Sequence, residues 1–318
     1  MMNEQMIWVE KYRPHKIEDC ILPEEMKKTF QVYVDKKEVP NMIFSGGPGV
    51  GKTTVARALC DEIGLDHILI NGSKESGIDT LRTTITNYAS AVSLMGGRKV
   101  IIIDEADYLN PNSTQPAFRG VIEEFAGNCS FIFTCNYKNR IIPPLHSRCA
   151  VIDFRIPKET SPKLASAFLK RTEEILVTEK IEYDRKTIIE LVKKHFPDFR
   201  RILNELQRYA AHGKIDAGIF ASTSTVKINE VVDFLRQKDF RSLRKWVGSN
   251  ADNDAIEIMR QVYDRIGDIV KPQFTPLATV ILGKYMYQDA FVVDHEINLM
   301  AFFTELMLET EMRDGGNV

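Results

Sequence analysis

The octapeptide Gly46-Gly47-Pro48-Gly49-Val50-Gly51-Lys52-Thr53 constrains this 318-residue chain more than any other stretch. It fits G-x-x-x-x-G-K-[ST], a loop whose glycines let successive backbone N–H groups turn inward around an anion. The chemistry needs a strand before the loop and a helix after it. The helix N-terminus adds its dipole, the lysine reaches the outer phosphates, and the threonine hydroxyl binds Mg²⁺. Met42–Ser45 is a short apolar run, and Thr53–Ile63 carries apolar residues at helical spacing. Glycine is about 7% of residues in general, so a chance match in a chain this long arises roughly 1% of the time. The strand–loop–helix setting therefore carries the reading.

The first half continues as alternating strands and helices, the pattern of an α/β domain with a mostly parallel sheet. His67–Asn71, Val100–Ile103 and Ser130–Thr134 read as strands, and Val151–Phe154 as a further one. Ile78–Ala91 and Gln115–Phe125 read as helices. The unbroken apolar run Val100–Ile103 suggests a strand buried on both faces. Strand signals fade after Ile156-Pro157, and Pro162–Glu179, Arg185–His195 and Asp198–His212 read as a small helical bundle. Gly213–Thr225 is rich in Gly, Ser and Thr and reads as a connection, and Asn229–Met312 is helical again, broken near Gly248–Asn253 and Pro272–Pro276. Three domains are expected, at 1–155, 156–228 and 229–318.

Val100-Ile101-Ile102-Ile103-Asp104-Glu105-Ala106-Asp107 is an apolar strand ending in adjacent carboxylates, about 50 residues after the P-loop. Asp104 is the expected Mg²⁺ carboxylate and Glu105 the general base for the attacking water. Asp107 reads as structural or electrostatic. Asn136, at the end of Phe131–Cys135, is placed to orient that water; the plainer alternative is a turn-capping Asn. Arg148, in Ser147-Arg148-Cys149, is a candidate arginine finger. Arg200 or Arg201, opening a helix of the bundle, is placed to swing onto the γ-phosphate.

Composition removes other classes. Lys plus Arg is 42 against 44 Asp plus Glu, a net charge of −2, so the whole chain is not a basic nucleic-acid binder. Any DNA contact must be local, shared among subunits, or made by backbone amides. The five cysteines are scattered with no Cys-x-x-Cys pair, which argues against a zinc site or disulfide framework. No stretch approaches the roughly 20 apolar residues of a membrane span, and Met1–Lys11 lacks a signal-peptide core. A cytoplasmic protein with no membrane partner is expected.

Trp8-Val9-Glu10-Lys11-Tyr12-Arg13-Pro14 resembles the N-terminal box of the replication-factor-C class of AAA+ clamp-loader subunits. The P-loop, Asp104-Glu105-Ala106-Asp107, Asn136, Ser147-Arg148-Cys149 and Asp198–Leu206 follow in that class's order. Length, the Phe196–Arg200 segment and the short C-terminal region are most similar to the large ATPase subunit of T-even bacteriophage sliding-clamp loaders, which would put the protein in a host cytoplasm. The resemblance implies an α/β P-loop AAA+ domain, a parallel sheet flanked by helices, then a small helical lid and an all-helical collar. It implies ATP and Mg²⁺ as cofactors. Val9, Tyr12, Arg13 and Pro14 become adenine-pocket residues, with Thr54 beside the P-loop residues in the nucleotide site. Asn136 becomes sensor 1 and Arg200 sensor 2, while Arg148 acts on ATP held by a neighbouring subunit.

The implied partners are a sliding clamp, a small accessory subunit, primer–template DNA and further copies of the chain, four in a five-subunit assembly. Ser76, Gly77 and Arg82, with Asn112, Gln115 and Arg119, match positions that follow DNA phosphates. The alternative for Arg82 and Arg119 is a salt bridge within the subunit. Gln115 also matches a glutamine that couples DNA contact to the ATP site. Val92, Leu94 and Met95 match the helix tip that enters the clamp; the alternative is that Leu94 and Met95 tuck into the core. Two features depart from the pattern: Pro116 inside an expected helix, and the less acidic Gly72–Gly77 segment. Trp246, Met259, Tyr263, Phe274, Met286, Tyr287, Phe302, Phe303 and Met307 supply apolar faces for a collar or for an intrasubunit core.

The implied activity is ATP-driven opening and loading of the clamp. A helicase loader or junction motor, a non-hydrolysing subunit and a small-molecule kinase are the alternatives. The intact Lys52, Thr53, Asp104, Glu105 and Arg148 argue against the non-hydrolysing one. Replacing Glu105 with Gln is expected to preserve nucleotide binding, measured by fluorescent-analogue titration, and to stop turnover; unchanged turnover would assign the base elsewhere.

Overall fold

The computed structural model describes residues 7–74, 78–91, 97–211, 213–216, 219, 228–250, 255–289 and 291–313. Two compact units divide the chain, Met1–Ile219 and Phe220–Val318.

In the first unit, β1 (Met42–Ser45), β2 (His67–Asn71), β3 (Lys99–Asp104), β4 (Cys129–Cys135) and β5 (Ala150–Asp153) form a parallel sheet in the order β2-β3-β4-β1-β5. Parallel neighbours need helical crossovers, and these cover both faces. On one side, α2 (Glu24–Lys36) and α3 (Lys52–Ile63) pack with Phe30 and Leu59 against Phe44, Val100, Ile102 and Ile132. On the other, α4 (Ile78–Ser90) and α5 (Thr114–Glu124) pack with Ile85 and Phe118 against Ile101, Ile103, Phe131 and Phe133. Alternate residues of β3 thus enter opposite cores, which explains its unbroken apolar run.

The register decides where chemistry can occur. Ser45 pairs with Cys135 on β4, and Asn71 pairs with Asp104 on β3. In the sheet order β3, β4 and β1 are neighbours, so the residues that follow them meet at one carboxyl edge, the usual ligand-binding edge of open parallel sheets.

A short α1 (Trp8–Lys11) precedes the sheet domain. After the sheet, α6 (Pro143–His146) leads into β5, followed by α7 (Ser161–Thr178), α8 (Arg185–His195) and α9 (Phe199–Ala210). Asp184 and Asp198 cap α8 and α9 through their side chains. The bundle also contains a feature that the sequence reading lacks. Two parallel two-residue strands, β6 (Glu182–Tyr183) and β7 (Lys214–Ile215), join it. Strands that short have no periodicity to detect. Pro116 falls in the first turn of α5, where its missing N–H costs no helical bond.

The second unit is helical: α10 (Ile228–Gln237), α11 (Phe240–Ser249), α12 (Ala255–Asp264), α13 (Ile266–Ile269), α14 (Thr275–Asp289) and α15 (His295–Glu309). Trp246, Met259, Phe302, Phe303 and Met307 are buried in its own core, and Phe274 and Met286 pack against it. Tyr263 and Tyr287 are exposed. Most of the apolar residues that suggested an assembly surface therefore serve this unit's interior. No helix of the described residues is long and apolar enough to cross a membrane.

The first unit has complete apolar layers on both sheet faces, so a chain ending at Ile219 is expected to unfold cooperatively and bind nucleotide. If the C-terminal unit is a collar, that chain sediments as a monomer; an oligomer would remove the collar.

Candidate active site

The cleft at the carboxyl edge is lined by the P-loop from Gly49, by Val9, Tyr12, Arg13 and Pro14, by Cys20–Leu22, and by Phe168, Arg171, Phe199, Arg200 and Leu203 of the helical bundle. The apolar lining from α7 and α9 was not visible in the sequence, because spacing along a helix does not say what faces a cleft. Trp8 N–H donates to Gln207 Oε1 at 2.8 Å, and Tyr12 Oη–H and Lys11 Nζ donate to Glu179 Oε1 at 2.5 and 2.6 Å. These bonds tie the N-terminal box to α9 and to the end of α7. Arg13 is held by Glu10 and donates to Thr54 Oγ1 at 3.0 Å.

Gly49 and Gly51 adopt φ of +71° and +94°, a region that side chains disfavour. Gly49 is also forbidden a Cβ by its surroundings: such an atom would lie 1.7 Å from Asp198 Oδ1. Phe199 N–H donates to the Gly49 carbonyl at 3.1 Å, so the start of α9, which carries Arg200, rests directly on the P-loop.

Lys52 is buried, and its ammonium donates to the carbonyls of Gly46 and Gly47, both at 2.7 Å, and to Asn136 Oδ1 at 2.9 Å. Burial lowers its pKa, the charge of Arg200 lowers it further, and Asp104 and Asp107 act in the opposite sense. Thr53 Oγ1–H and Thr134 Oγ1–H both donate to Asp104 Oδ1, at 2.6 and 2.5 Å. Thr134 also accepts the Glu105 N–H at 3.2 Å. Glu105 has φ +55°, ψ +43°, an uncommon conformation for a residue with a side chain and one found at functional positions.

Asp107 has a definite task. Its Oδ2 accepts the N–H groups of Asn136 and Tyr137, both at 3.1 Å, which fixes the Asn136 loop to the segment after β3. Gln115 makes a second brace. Its Nε2 donates to the carbonyls of Leu109 and Arg140, at 3.0 and 2.9 Å, and its Oε1 accepts Ile142 N–H at 2.9 Å. Gln115 has no exposed surface, which corrects the expectation that it meets DNA directly. Arg82, Asn112 and Arg119 are exposed. Ser76, Gly77, Val92, Leu94 and Met95 lie outside the described residues.

Arg148 does not line this cleft. It precedes β5, where Ala150 pairs with Met42 at the amino edge of the sheet, whereas the P-loop follows Ser45 at the carboxyl edge. Roughly 10 Å of strand, at about 3.3 Å per residue, separates the two edges. Arg148 is instead bonded to Glu123 at the far end of α5, a partner that no motif announced.

The donor set fits a magnesium–triphosphate. Lys52 is a buried cation facing backbone oxygens, Thr53 and Asp104 bring a hydroxyl and a carboxylate together, and the glycines leave room for close approach. Comparison with known proteins gives the family of the chain. Residues 42–156 match the ATPase family associated with various cellular activities (AAA), and residues 163–221 match the sliding-clamp-loader large subunit, AAA+ ATPase lid domain. The chain is 36% identical to the sliding-clamp-loader large subunit of Enterobacteria phage T4, over 98% of both chains. It is 40% identical to that of Escherichia phage RB69, over 76% of this chain and 77% of the relative. A replication factor C small subunit of Archaeoglobus fulgidus is 36% identical over 74% of each. Among solved structures, the Thermotoga maritima RuvB Holliday junction branch migration motor is similar with a TM-score of 0.53 and 18% identity, covering 71% of this chain and 77% of that one, a likeness of fold alone.

Removing the Asp107 carboxylate (Asp107→Ala) frees the loop bearing Asn136. Turnover is expected to fall about ten- to a hundredfold, the scale of a 1 Å misplacement, with little change in KM for ATP. Steady-state kinetics checks this, and an equal loss in binding would make Asp107 a folding residue only.

Proposed function

Because the chain belongs to the sliding-clamp-loader large subunits of the AAA+ class, we propose that it is the ATPase subunit that opens a sliding clamp and loads it onto primer–template DNA during replication. The observation that carries this reading is the division of labour between the two sheet edges. The carboxyl edge holds Lys52, Thr53, Asp104, Glu105 and Asn136, whereas Arg148 sits at the amino edge. A guanidinium there cannot serve its own chain's nucleotide, but it can serve that of a neighbour stacked beside it.

In this reading the P-loop amides and Lys52 grip the ATP phosphates, and Val9, Tyr12, Arg13 and Pro14 enclose the adenine. Thr53 and Asp104 would hold Mg²⁺, which supplies charge neutralisation on the phosphate oxygens when bound. Glu105 accepts the proton of the attacking water, and Asn136 orients that water beside the γ-phosphate. Arg200, on a helix already resting on Gly49, follows the γ-phosphate and moves the lid with it. Arg148 completes the site of the next subunit, so turnover depends on assembly. Clamp and DNA, together with a small accessory subunit, would bring several copies into that arrangement.

DNA contact through Ser76, Gly77, Arg82, Asn112 and Arg119, and clamp contact through Val92, Leu94 and Met95, belong to this proposal. Gln115 supports it in a different way, since its bonds link α5 to the segment after Asn136. A helicase loader or junction motor would share the ATP site but not ATP-dependent binding to a purified clamp.

The assembled protein is expected to hydrolyse ATP slowly alone and fast with clamp plus primed DNA. Arg148→Ala is expected to remove about 10³-fold or more of the stimulated rate while leaving ATP binding intact. A fast rate indifferent to clamp and DNA would overturn the assignment.

A further inference from the structure

Arg148 is already engaged within its own chain. Its Nε and Nη2 both donate to Glu123 Oε1, at 3.0 and 2.6 Å, and its Nη1 donates to the Pro144 carbonyl at 2.9 Å and to Ser147 Oγ at 3.3 Å. A guanidinium carries five N–H bonds, so one Nη2 hydrogen is left over. The Glu123 side chain is 60% exposed and that of Arg148 24%. The bond from Arg148 holds the Glu123 carboxyl below its usual pKa, and the charge of Arg119, one turn earlier on α5, adds to the effect.

Two kinds of acceptor meet this guanidinium, and they differ in consequence. The Pro144 carbonyl and Ser147 hydroxyl are neutral and sit on the segment that carries Arg148, so they steady the side chain without competing for its charge. Glu123 is an anion, and it takes the Nε/Nη2 edge, the edge that meets planar oxyanions two bonds at a time. With Nη1 taken by Pro144 and Ser147, a γ-phosphate of a neighbouring P-loop met through two parallel N–H bonds would compete for that same edge. If the carboxylate stayed in place, it would stand one guanidinium away from a triphosphate and repel it. Glu123 and the phosphate are therefore alternatives. An exposed ion pair is weak enough to exchange, because water screens both charges.

We propose that Glu123 is a positioning residue that holds the Nε/Nη2 edge of Arg148 away from the neighbouring ATP until the subunit interface closes, and so sets how strongly hydrolysis depends on clamp and DNA. This rests on the reading of Arg148 as a finger acting on the next subunit. The location suits the task. Gln115 lies at the end of α5 that braces the ATP edge, and Glu123 lies eight residues along, about 12 Å at 1.5 Å per residue, at the Arg148 edge.

The test uses the full chain assembled with its accessory subunit, with ATPase measured with and without clamp and primer–template DNA. Glu123→Gln keeps the shape of an exposed side chain, and an unchanged Tm confirms the fold. Its unstimulated kcat is expected to rise about two- to fivefold, the worth of an exposed ion pair. The stimulated kcat and the KM for ATP are expected to stay put, so the stimulation ratio falls. Glu123→Asp should restore part of the restraint, and Glu123→Gln combined with Arg148→Ala should turn over no faster than Arg148→Ala alone. An unstimulated rate that is unchanged or lower in Glu123→Gln, while Arg148→Ala abolishes stimulation, would overturn the proposal and leave the finger reading standing. A stimulated rate that survives Arg148→Ala would remove the finger reading and the proposal together.

Discussion

A buried ammonium must be solvated by something, and most of the site's architecture follows from how Lys52 is satisfied. Burial disfavours the charged form, as the lowered pKa records. Two P-loop carbonyls and the Asn136 side chain replace the lost water. That replacement requires the ends of β1 and β4 to lie side by side, and parallel pairing provides it. All three ammonium N–H bonds are taken up in this way, so gripping a phosphate means exchanging at least one of these acceptors for a phosphate oxygen.

The second organising element is α5, which spans the distance between the two sheet edges. Pro116 sits in its first turn, the Gln115 N–H donates to the Asn110 carbonyl at 3.0 Å, and the buried carboxamide of Gln115 bridges three backbone groups there. Phe118 anchors its middle against Phe131 and Phe133. Its far end presents Glu123 to Arg148. One helix thus carries a polar clasp at each end, one on the ATP edge and one at Arg148. Asp107 adds a shorter link, since the loop it fixes runs through Asn136 toward α6 and Arg148.

Much of this was legible before any coordinates. The P-loop, the carboxylates after an apolar strand and the period-3.6 helices are local signals, and local signals survive in sequence. The limits are equally instructive. Gln115 reads as a surface residue because a polar side chain in a helix's first turn usually is one; only the surrounding carbonyls show why it is buried. Glu179 and Glu123 are unremarkable glutamates in sequence, yet one holds Tyr12 and the other holds Arg148. The pair β6–β7 is too short for a pattern, and the aromatic residues after residue 229 could not be divided between core and surface from spacing alone.

The sequence by itself determined the chemistry: a phosphate cradle, a lysine, a hydroxyl and two carboxylates in the order of a P-loop nucleotide site, because each residue type is required by the charge it must meet. Tertiary structure alone decided which residues meet and which stand apart. Parallel strand direction puts Arg148 at the opposite edge from its own P-loop, and partners more than 20 residues apart, such as Glu123 with Arg148 or Asp107 with Asn136, are set by packing that no local pattern encodes.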